Sequence, residues 1–377
     1  MSLVSERAAV AADIPFVDLT AQQAEIMPEI EPLVLELLRS GAFIGGAAVM
    51  EFERAYAASV GVKHCVGVAN GTDALQLALR ASGIGPGDEV IVPANTFIAT
   101  AEAVSLTGAM PVLVDVDPVH LLIDPDAVAA AVTARTRAII PVHLYGQVAA
   151  VEALEPIAEC AGALIIEDAA QAQGATRHGR GAGSLGAIAG TSFYPGKNLG
   201  AAGDAGAVTT DDEELADRVR LIGGHGSRAK YEHETVGTNS RLDALQAVVL
   251  KAKLERLSGW NEARRAAAVR YGELLAGTAV GVPESMPGNV DVWHLYVVRV
   301  QNRAKAIEAL AGAGIGTGIH YPTPVHLTEA YRSLGHERGA FPVAERAAEE
   351  ILSLPMFPHL TAAQQERVAE VLLGAVG

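Results

Sequence analysis

The chain has 377 residues, half of them apolar, and carries a formal net charge of −16. This length is enough for two domains around a large core, while the acidity argues against a duplex nucleic-acid binder, and no uncharged apolar run is long enough to cross a membrane. Two cysteines without metal spacing, and residues 1–13 without a signal-peptide pattern, predict a reduced, cytoplasmic protein.

The predicted elements alternate between helices and strands over the first two thirds of the chain. The first helix is predicted over residues 22–40, broken near its start by Pro28 and Pro32 and ended by Gly41. Further helices are predicted at 47–60, 74–79, up to about 105, 150–161 and 212–221, with strands at 65–69, 89–92, 110–115, 138–143, 163–166 and 206–210. Continuous apolar strands separated by helices predict an α/β fold, with a mostly parallel sheet covered on both faces.

The last third of the chain has a different pattern. Residues 223–238 are polar and predict a loop, after which a long helix opens near Asn239, with Asn239 or Ser240 as a candidate N-cap. Beyond residue 255, strands are predicted at 292–300 and 315–321, and helices at 303–311, 340–352 and 361–375. This pattern predicts a smaller α+β domain.

The stretch Ser192–Gly206 places Lys197 among small and apolar residues with almost no other charge. Such surroundings disfavour the charged form of a lysine and make its amine available as a nucleophile. Gly200, Gly203 and Gly206 allow unusual backbone dihedrals or a close approach to a ligand. Two interpretations stay open, namely a solvated lysine in a glycine-rich surface loop and a lysine that forms a Schiff base with a carbonyl cofactor.

A strand, a tight polar turn and a helix follow one another around Asn70–Asp73. This arrangement directs the free N–H groups and the positive dipole end of the helix toward one point, where a phosphate is stabilised by roughly 0.3–1 kcal/mol. The alternative is an ordinary helix cap made by Thr72 or Asp73.

Asp168 ends a fully apolar predicted strand. Ligands bind at the carboxyl ends of strands in parallel sheets, and a buried carboxylate costs several kcal/mol unless it is paired. Asp168 is therefore either satisfied by backbone amides or paired with a protonated ring nitrogen. Other residues at or just past strand ends are Asn70, Phe97, His143 and Gln171.

One cofactor, pyridoxal 5′-phosphate, accounts for these features together. Its aldehyde would react with Lys197, and Asp168 would keep its ring nitrogen protonated, which makes the ring an electron sink. The remaining predicted contacts are the phosphate with Gly71, Thr72 and Ser192, and the ring face with Phe97.

The chain resembles the DegT/StrS family of sugar-nucleotide aminotransferases, which are fold type I pyridoxal-phosphate enzymes. The segments that carry the resemblance are Asn70–Leu75, Pro93–Thr100, Pro141–Gly146, Glu167–Gln171, Ser192–Gly206, Asn239–Asp243 and His320–His326. The resemblance implies a large cofactor-binding domain over residues 1–250, with a mostly parallel, seven-stranded sheet between helices, and a small α+β domain over residues 251–377.

The resemblance also implies roles for further residues. Gln171 is expected to contact the phenolic oxygen of the cofactor, and Asn239 the cofactor phosphate of a neighbouring subunit, which implies a homodimer with shared active sites. The expected substrate-binding residues are Tyr194, Lys230 (or Arg228, near the diphosphate), His320, Tyr321 and His326. No metal is expected at the two histidines, because no third ligand at standard spacing accompanies them.

The implied reaction is a ping-pong transamination in which L-glutamate is the amino donor and Lys197 is the general base and acid. The form Ser192–Gly200 resembles the branch acting at C-3 of dTDP-3-keto-6-deoxyhexoses in antibiotic sugar pathways. The alternatives are a C-4 aminotransferase on an NDP-4-keto-6-deoxyhexose, a sugar dehydratase and an inactive cofactor-binding regulator. A dehydratase of this family has histidine in place of the lysine, so Lys197 argues against it.

Overall fold

The computed structural model describes residues 13–376. The expectation about a signal peptide concerns residues that lie, apart from Asp13, outside this range. The helices are α1 Leu19–Ser40, α2 Ala47–Val60, α3 Gly71–Ala81, α4 Ala99–Leu106, α5 Pro125–Ala131, α6 Val151–Ala161, α7 Glu213–Gly223, α8 Ala244–Leu275, α9 Arg303–Gly312, α10 Pro342–Glu350 and α11 Ala362–Val376. The strands are β1 His64–Val68, β2 Glu89–Pro93, β3 Met110–Val114, β4 Thr136–Ile139, β5 Leu164–Asp168, β6 Thr176–Arg177, β7 Arg180–Gly181, β8 Ile188–Ser192, β9 Gly206–Thr210, β10 Ser227–Ala229, β11 Glu232–His233, β12 Asn289–Val290, β13 Tyr296–Arg299 and β14 Ile351–Leu354.

A seven-stranded sheet in the order β1-β9-β8-β5-β4-β2-β3 forms the centre of the molecule. Strand β9 is antiparallel to both of its neighbours, and the pairs formed by β8, β5, β4, β2 and β3 are parallel. The predicted α/β fold with a mostly parallel sheet is therefore confirmed. The carboxyl ends of β1, β5 and β8 lie at one edge of the sheet, and β9 starts at that same edge because it runs the opposite way.

The predicted break near the start of the first helix is wrong, because α1 continues through Pro28 and Pro32. The two prolines are four residues apart and exposed, so both rings lie on the outer face of the helix. The opposite face buries Ile26 and Ile30 against α8, and Asp18 caps the first turn. Burial of this apolar face offsets the hydrogen bonds that the prolines remove.

The C-terminal part of the chain packs a second apolar core between the end of α8, helices α9 and α11, and the antiparallel pair β13–β14. The strand predicted over 315–321 is wrong, because Ile315 and Gly318 form only isolated bridges. The predicted helix 340–352 ends at Glu350, and its last residues belong to β14. Helix α8 runs without a break across residue 250, so the predicted division between 1–250 and 251–377 falls inside a helix.

Candidate active site

A cavity of about 740 Å³ opens at the carboxyl edge of the central sheet. Its walls include the ends of β1, β5 and β8, the loop between β8 and β9, and residues 294–295 and 320–321 near β13. The predicted site residues that line it are Gly71, Thr72, Phe97, Asp168, Gln171, Ser192, Tyr194, Lys197, His320 and Tyr321. The structure therefore brings ten sequence-distant residues of the predicted site to one place.

Lys197 lies in the loop between β8 and β9, where its backbone N–H donates to the Tyr194 carbonyl at 2.8 Å. Its side chain is half-buried, and burial lowers the pKa of its amine to about 8, although the charge of Asp168 opposes this shift. Within residues 13–376 the Lys197 Nζ has no hydrogen-bond partner, and burial and the charge of Asp168 are the influences on it. The amine is thus available to a ligand. Its lowered pKa lies close to neutral pH, so the amine can lose its proton there.

Two glycines near Lys197 lie so close to backbone atoms of other residues that a side chain would not fit there. A Cβ on Gly200 would lie 2.2 Å from the Pro195 carbonyl oxygen, and one on Gly206 would lie 2.4 Å from the Asn70 carbonyl oxygen. Neither glycine adopts a left-handed backbone conformation. Gly200 and Gly206 therefore allow the lysine loop to pack on itself and on the turn after β1.

Asp168 occupies the last position of β5 and is 5% exposed. Its Oδ2 accepts a hydrogen bond from the Thr100 hydroxyl at 2.7 Å, and its Oδ1 accepts one from the Ala170 N–H at 3.2 Å. Burial raises the pKa of this carboxyl, and the two donors only partly counteract it. A cation placed against Asp168 in the cavity would stabilise its ionised form.

The turn after β1 and the end of β8 form a small polar cradle. Asn70 is the N-cap of α3, accepting the Asp73 N–H at 2.8 Å, so the cap is neither of the two residues that the sequence suggested. A Cβ on Gly71 would lie 2.5 Å from the Cβ of Ser192, which places the Ser192 hydroxyl beside the first helical turn. A helix N-terminus with an adjacent hydroxyl and no side chain at Gly71 suits a phosphate.

Gln171 is held in one orientation by the wall of the cavity. Its Oε1 accepts the Tyr145 N–H at 2.7 Å, which leaves its Nε2 to donate to the Tyr321 hydroxyl at 3.0 Å. The Tyr145 hydroxyl donates to the His320 carbonyl at 2.5 Å, and the rings of Phe97 and Tyr321 lie 5.4 Å apart. The structure thus presents an amide N–H group and two aromatic rings to the cavity.

Sequence reasoning missed Thr100 and His294, which also line the cavity. Thr100 lies in a segment that carried the family resemblance, and a hydroxyl one helical turn after Thr96 was a usable signal for it. His294 lies before β13, in residues that the sequence assigned to a strand. Burial and the nearby charge of Lys197 hold the pKa of His294 well below its ordinary value.

The structure does not place His326 in the cavity, although contact with the substrate is predicted for it. Its ring is 2% exposed, and its Nε2 lies 2.9 Å from the Glu345 Oε1. His320 bonds instead to Ser353, with 2.8 Å between Nδ1 and Oγ, so the two histidines have different partners. Among residues 13–376 no group of three histidine, cysteine or acidic side chains has metal-binding geometry.

Lys230 and Asn239 also lie outside the cavity of their own chain. Lys230 is on the exposed hairpin of β10 and β11, with its Nζ 5.1 Å from the ring centroid of Tyr231. Asn239 is exposed and bridges Gly224, and it is not the N-cap of α8, a position that Asp243 occupies. Neither of these two side chains therefore lines the cavity of its own chain.

Comparison with known proteins places this geometry in a family. Residues 24–373 match the DegT/DnrJ/EryC1/StrS aminotransferase family. The chain belongs to this family.

Relatives cover almost the whole chain. A dTDP-3-amino-3,4,6-trideoxy-alpha-D-glucose transaminase from Streptomyces venezuelae is 48% identical over 360 residues, which are 95% of each protein. A pleiotropic regulatory protein from Geobacillus stearothermophilus is 48% identical over 361 residues, covering 95% of this chain and 97% of the relative. A crystal structure of S. venezuelae DesV with a ketimine intermediate superposes with a TM-score of 0.94 at 48% identity, covering 96% of this chain and 98% of that one.

The family resemblance inferred from the sequence is thereby confirmed, and with it the fold type I architecture and the aminotransferase class. Solved members hold pyridoxal phosphate or its amine form. The cavity fits this cofactor on its own geometry, since Lys197 presents an amine without a hydrogen-bond partner in residues 13–376, Asp168 a buried carboxylate, and Gly71 with Ser192 a polar recess at a helix N-terminus. The chain is a pyridoxal-phosphate-dependent sugar aminotransferase.

Proposed function

We propose that this aminotransferase moves the amino group of L-glutamate to the C-3 keto group of a dTDP-3-keto-6-deoxyhexose, giving a dTDP-3-amino sugar and 2-oxoglutarate. The observation that carries the chemistry is that Lys197 and the buried Asp168 line one cavity. The similarity to the S. venezuelae 3-amino-sugar transaminase over 95% of the chain supports the C-3 position.

The roles proposed for the cavity residues follow from their positions. Lys197 would hold the aldehyde carbon of pyridoxal phosphate, and Asp168 would hold its ring nitrogen protonated. The bound cofactor supplies an electron sink for the electrons released at the donor's α-carbon. The other proposed contacts are the phosphate with Gly71, Thr72 and Ser192, the ring face with Phe97, and the phenolic oxygen with the Nε2 of Gln171.

Lys197 is proposed to transfer the protons of the reaction. Its Nζ would remove the α-proton of L-glutamate and, in the second half of the cycle, deliver a proton to the sugar carbon that receives the amine. An amine with a pKa of about 8 suits both tasks near neutral pH, because the protonated and free forms are both populated.

The sugar nucleotide is proposed to enter past Tyr194, His320 and Tyr321. Tyr194 is 59% exposed at the rim of the cavity, and His320 and Tyr321 are half-buried within it. Burial and the charge of Lys197 lower the pKa of His320 to about 4, so its ring is neutral at physiological pH and can exchange hydrogen bonds with hydroxyl groups.

A homodimer with shared active sites is the proposed assembly. Exposed apolar side chains lie along α1, α2 and the turn between them, namely Met27, Leu33, Leu35, Leu38, Phe43, Ile44 and Met50. Ile44 bridges Asp243, so this surface adjoins the segment that carries Asn239. A second copy on this surface would bury it and bring Asn239, and with it the Lys230 hairpin, toward the neighbouring cavity.

A cytoplasmic location is proposed from the cysteines, since Cys65 and Cys160 are both free thiols. Separately, none of the helices between residues 13 and 376 has the length and apolar content that a bilayer crossing requires.

A comparison of two keto-sugar isomers tests the proposed substrate. Purified enzyme loaded with pyridoxal phosphate is given L-glutamate with either the 3-keto or the 4-keto sugar nucleotide, and products are measured by mass spectrometry. We expect amination of the 3-keto isomer. Turnover of the 4-keto isomer alone would replace this proposal with the C-4 alternative.

A cofactor-binding regulator is the second candidate, favoured by the name of the Geobacillus relative. It would bind pyridoxal phosphate and show no absorbance change when L-glutamate is added. The presence of Lys197, Asp168 and Gln171 in one cavity favours an active enzyme, for which that absorbance change is expected.

A further inference from the structure

A buried chain of side-chain amides fixes the orientation of His294. Asn198 is 1% exposed, and its Nδ2 donates to the Val292 carbonyl and to the Asn261 Oδ1, both at 2.9 Å. The Nδ2 of Asn261 donates in turn to the Gln173 carbonyl at 2.9 Å. Backbone carbonyl oxygens only accept hydrogen bonds, so the orientation of both amides follows from their partners.

This orientation determines which nitrogen of His294 carries a hydrogen. The Oδ1 of Asn198 lies 3.2 Å from the Nδ1 of His294 and can only accept, so the proton is on Nδ1. Burial and the nearby charges of Lys197 and Arg264 lower the pKa of His294 well below its ordinary value. A neutral ring with a hydrogen on Nδ1 has a bare lone pair on Nε2.

The lone pair on Nε2 has no partner in the part of the chain that the structure describes. His294 lines the cavity together with Lys197, and neither the His294 Nε2 nor the Lys197 Nζ makes a hydrogen bond within residues 13–376. An amine donates hydrogen bonds, and this imidazole nitrogen can only accept one. The two free groups are therefore complementary.

Building on the proposed function, we propose that His294 is a positioning residue whose Nε2 accepts a hydrogen bond from the Lys197 amine whenever that amine is free. The contact would use one N–H of the amine and leave its lone pair free to take the proton from the reacting carbon. His294 itself takes no proton. The order of the chain supports this role, because Asn198 directly follows Lys197 and its Oδ1 lies 3.2 Å from the Nδ1 of His294.

Two substitutions of similar size separate this role from a structural one. In His294→Asn the side-chain amide can still donate to Asn198, but nothing replaces the Nε2 acceptor. In His294→Gln the amide oxygen can reach the Nε2 position, while the hydrogen bond to Asn198 is lost. Positioning of Lys197 predicts that the Asn variant is the slower enzyme, whereas a structural role predicts that the Gln variant is worse.

The experiment measures the two half-reactions of the holoenzyme separately by rapid-mixing absorbance. We expect His294→Asn to slow the glutamate half and the keto-sugar half alike, by about tenfold, the loss expected for one hydrogen bond to an amine. We expect His294→Gln to stay within about threefold of the wild type. Slowing of the keto-sugar half alone would mean that His294 contacts the sugar, and a slower Gln variant would mean a structural role; either result overturns the proposal.

A spectroscopic measurement tests the proposal even if the proposed substrate is wrong. In cofactor-free protein with ¹⁵N-labelled histidine, the His294 resonances are assigned by their loss in His294→Gln. We expect a protonated Nδ1, a bare Nε2, and an Nε2 resonance that moves when Lys197→Ala removes the donor. A protonated Nε2, or an Nε2 resonance unaffected by Lys197→Ala, would overturn the proposal independently of any turnover.

Discussion

The Thr100 hydroxyl donates a hydrogen bond to the Oδ2 of Asp168 at 2.7 Å, from the first turn of α4 to the end of β5. A second hydroxyl, that of Thr96, lies 2.8 Å from the Thr100 hydroxyl. The donor to Asp168 favours the ionised carboxylate against the effect of burial, which raises its pKa. Thr100 therefore helps to set the charge with which Asp168 meets the cofactor.

Removal of the Thr100 hydroxyl is expected to weaken cofactor binding. Thr100→Val keeps the shape of the side chain but removes a hydrogen bond to a charged group, so the affinity for pyridoxal phosphate should fall about tenfold or more. Absorbance titration of cofactor-free protein measures the affinity, with Thr100→Ser as the matched control that keeps the hydroxyl. Equal affinity of the Val variant and the wild type would show that Thr100 has no influence on Asp168.

Substitution of Lys197 is expected to abolish transamination. Lys197→Ala removes the amine, and Lys197→Arg replaces it with a guanidinium that keeps its proton at all accessible pH values, so neither can act as a base. Single-turnover absorbance with L-glutamate should show a loss of more than about 10²-fold in both variants. Borohydride reduction of the wild-type holoenzyme followed by peptide mapping should label Lys197, and a label elsewhere would contradict its assignment.

The buried pair Glu167 and His143 is expected to stabilise the fold in a pH-dependent way. Their Oε2 and Nε2 atoms lie 2.8 Å apart with both side chains fully buried, and Glu167 also accepts the N–H groups of Gly183 and Gly186. Burial acts to raise the pKa of Glu167, but these partners hold it below its ordinary value. Glu167→Gln should lower the free energy of unfolding by about 2–3 kcal/mol near neutral pH.

The sign of the pH dependence follows from the lowered pKa of Glu167. Its contribution is complete above the unfolded-state pKa of about 4.3 and is lost as the pH falls from there through the folded-state pKa. Urea unfolding at a series of pH values should therefore show a smaller acid-induced loss of stability for Glu167→Gln than for the wild type. If the free energy of unfolding falls equally with pH in the two proteins, Glu167 does not contribute to the acid-induced loss of stability.

Mixing of two inactive variants tests the shared site. Dimers that combine a Lys197→Ala chain with an Asn239→Ala chain should have one site with both residues intact, because each site would take its lysine from one chain and its asparagine from the other. Hybrids isolated with two different tags should regain activity, whereas Lys197→Ala homodimers should not. No recovery in hybrids would place Asn239 in the site of its own chain, whereas full activity of Asn239→Ala homodimers would place it in no site.

Three residues that the sequence singled out and that line the cavity lie where an apolar strand gives way to polar residues. Asp168 ends β5, Asn70 follows β1, and Lys197 follows β8 in a glycine-rich loop, so the local pattern marks each of them. The local pattern could not predict the position of His326, since its inward orientation depends on Glu345, 19 residues further on. The continuity of α1 through its prolines likewise depends on packing against α8, more than 200 residues away.

Helix α8 limits how related enzymes can be recombined. Lys253 on this helix donates to the Gly200 carbonyl in the lysine loop at 2.7 Å, and Arg264, three turns later, donates to the Met356 carbonyl at 2.9 Å. One rod of 32 residues, about 48 Å long, therefore joins the loop that carries Lys197 to the C-terminal core. A chimaera joined within α8 would combine segments of two different enzymes in one helix whose two ends bond to different parts of the molecule. The junction between the two sequences should therefore lie after Leu275.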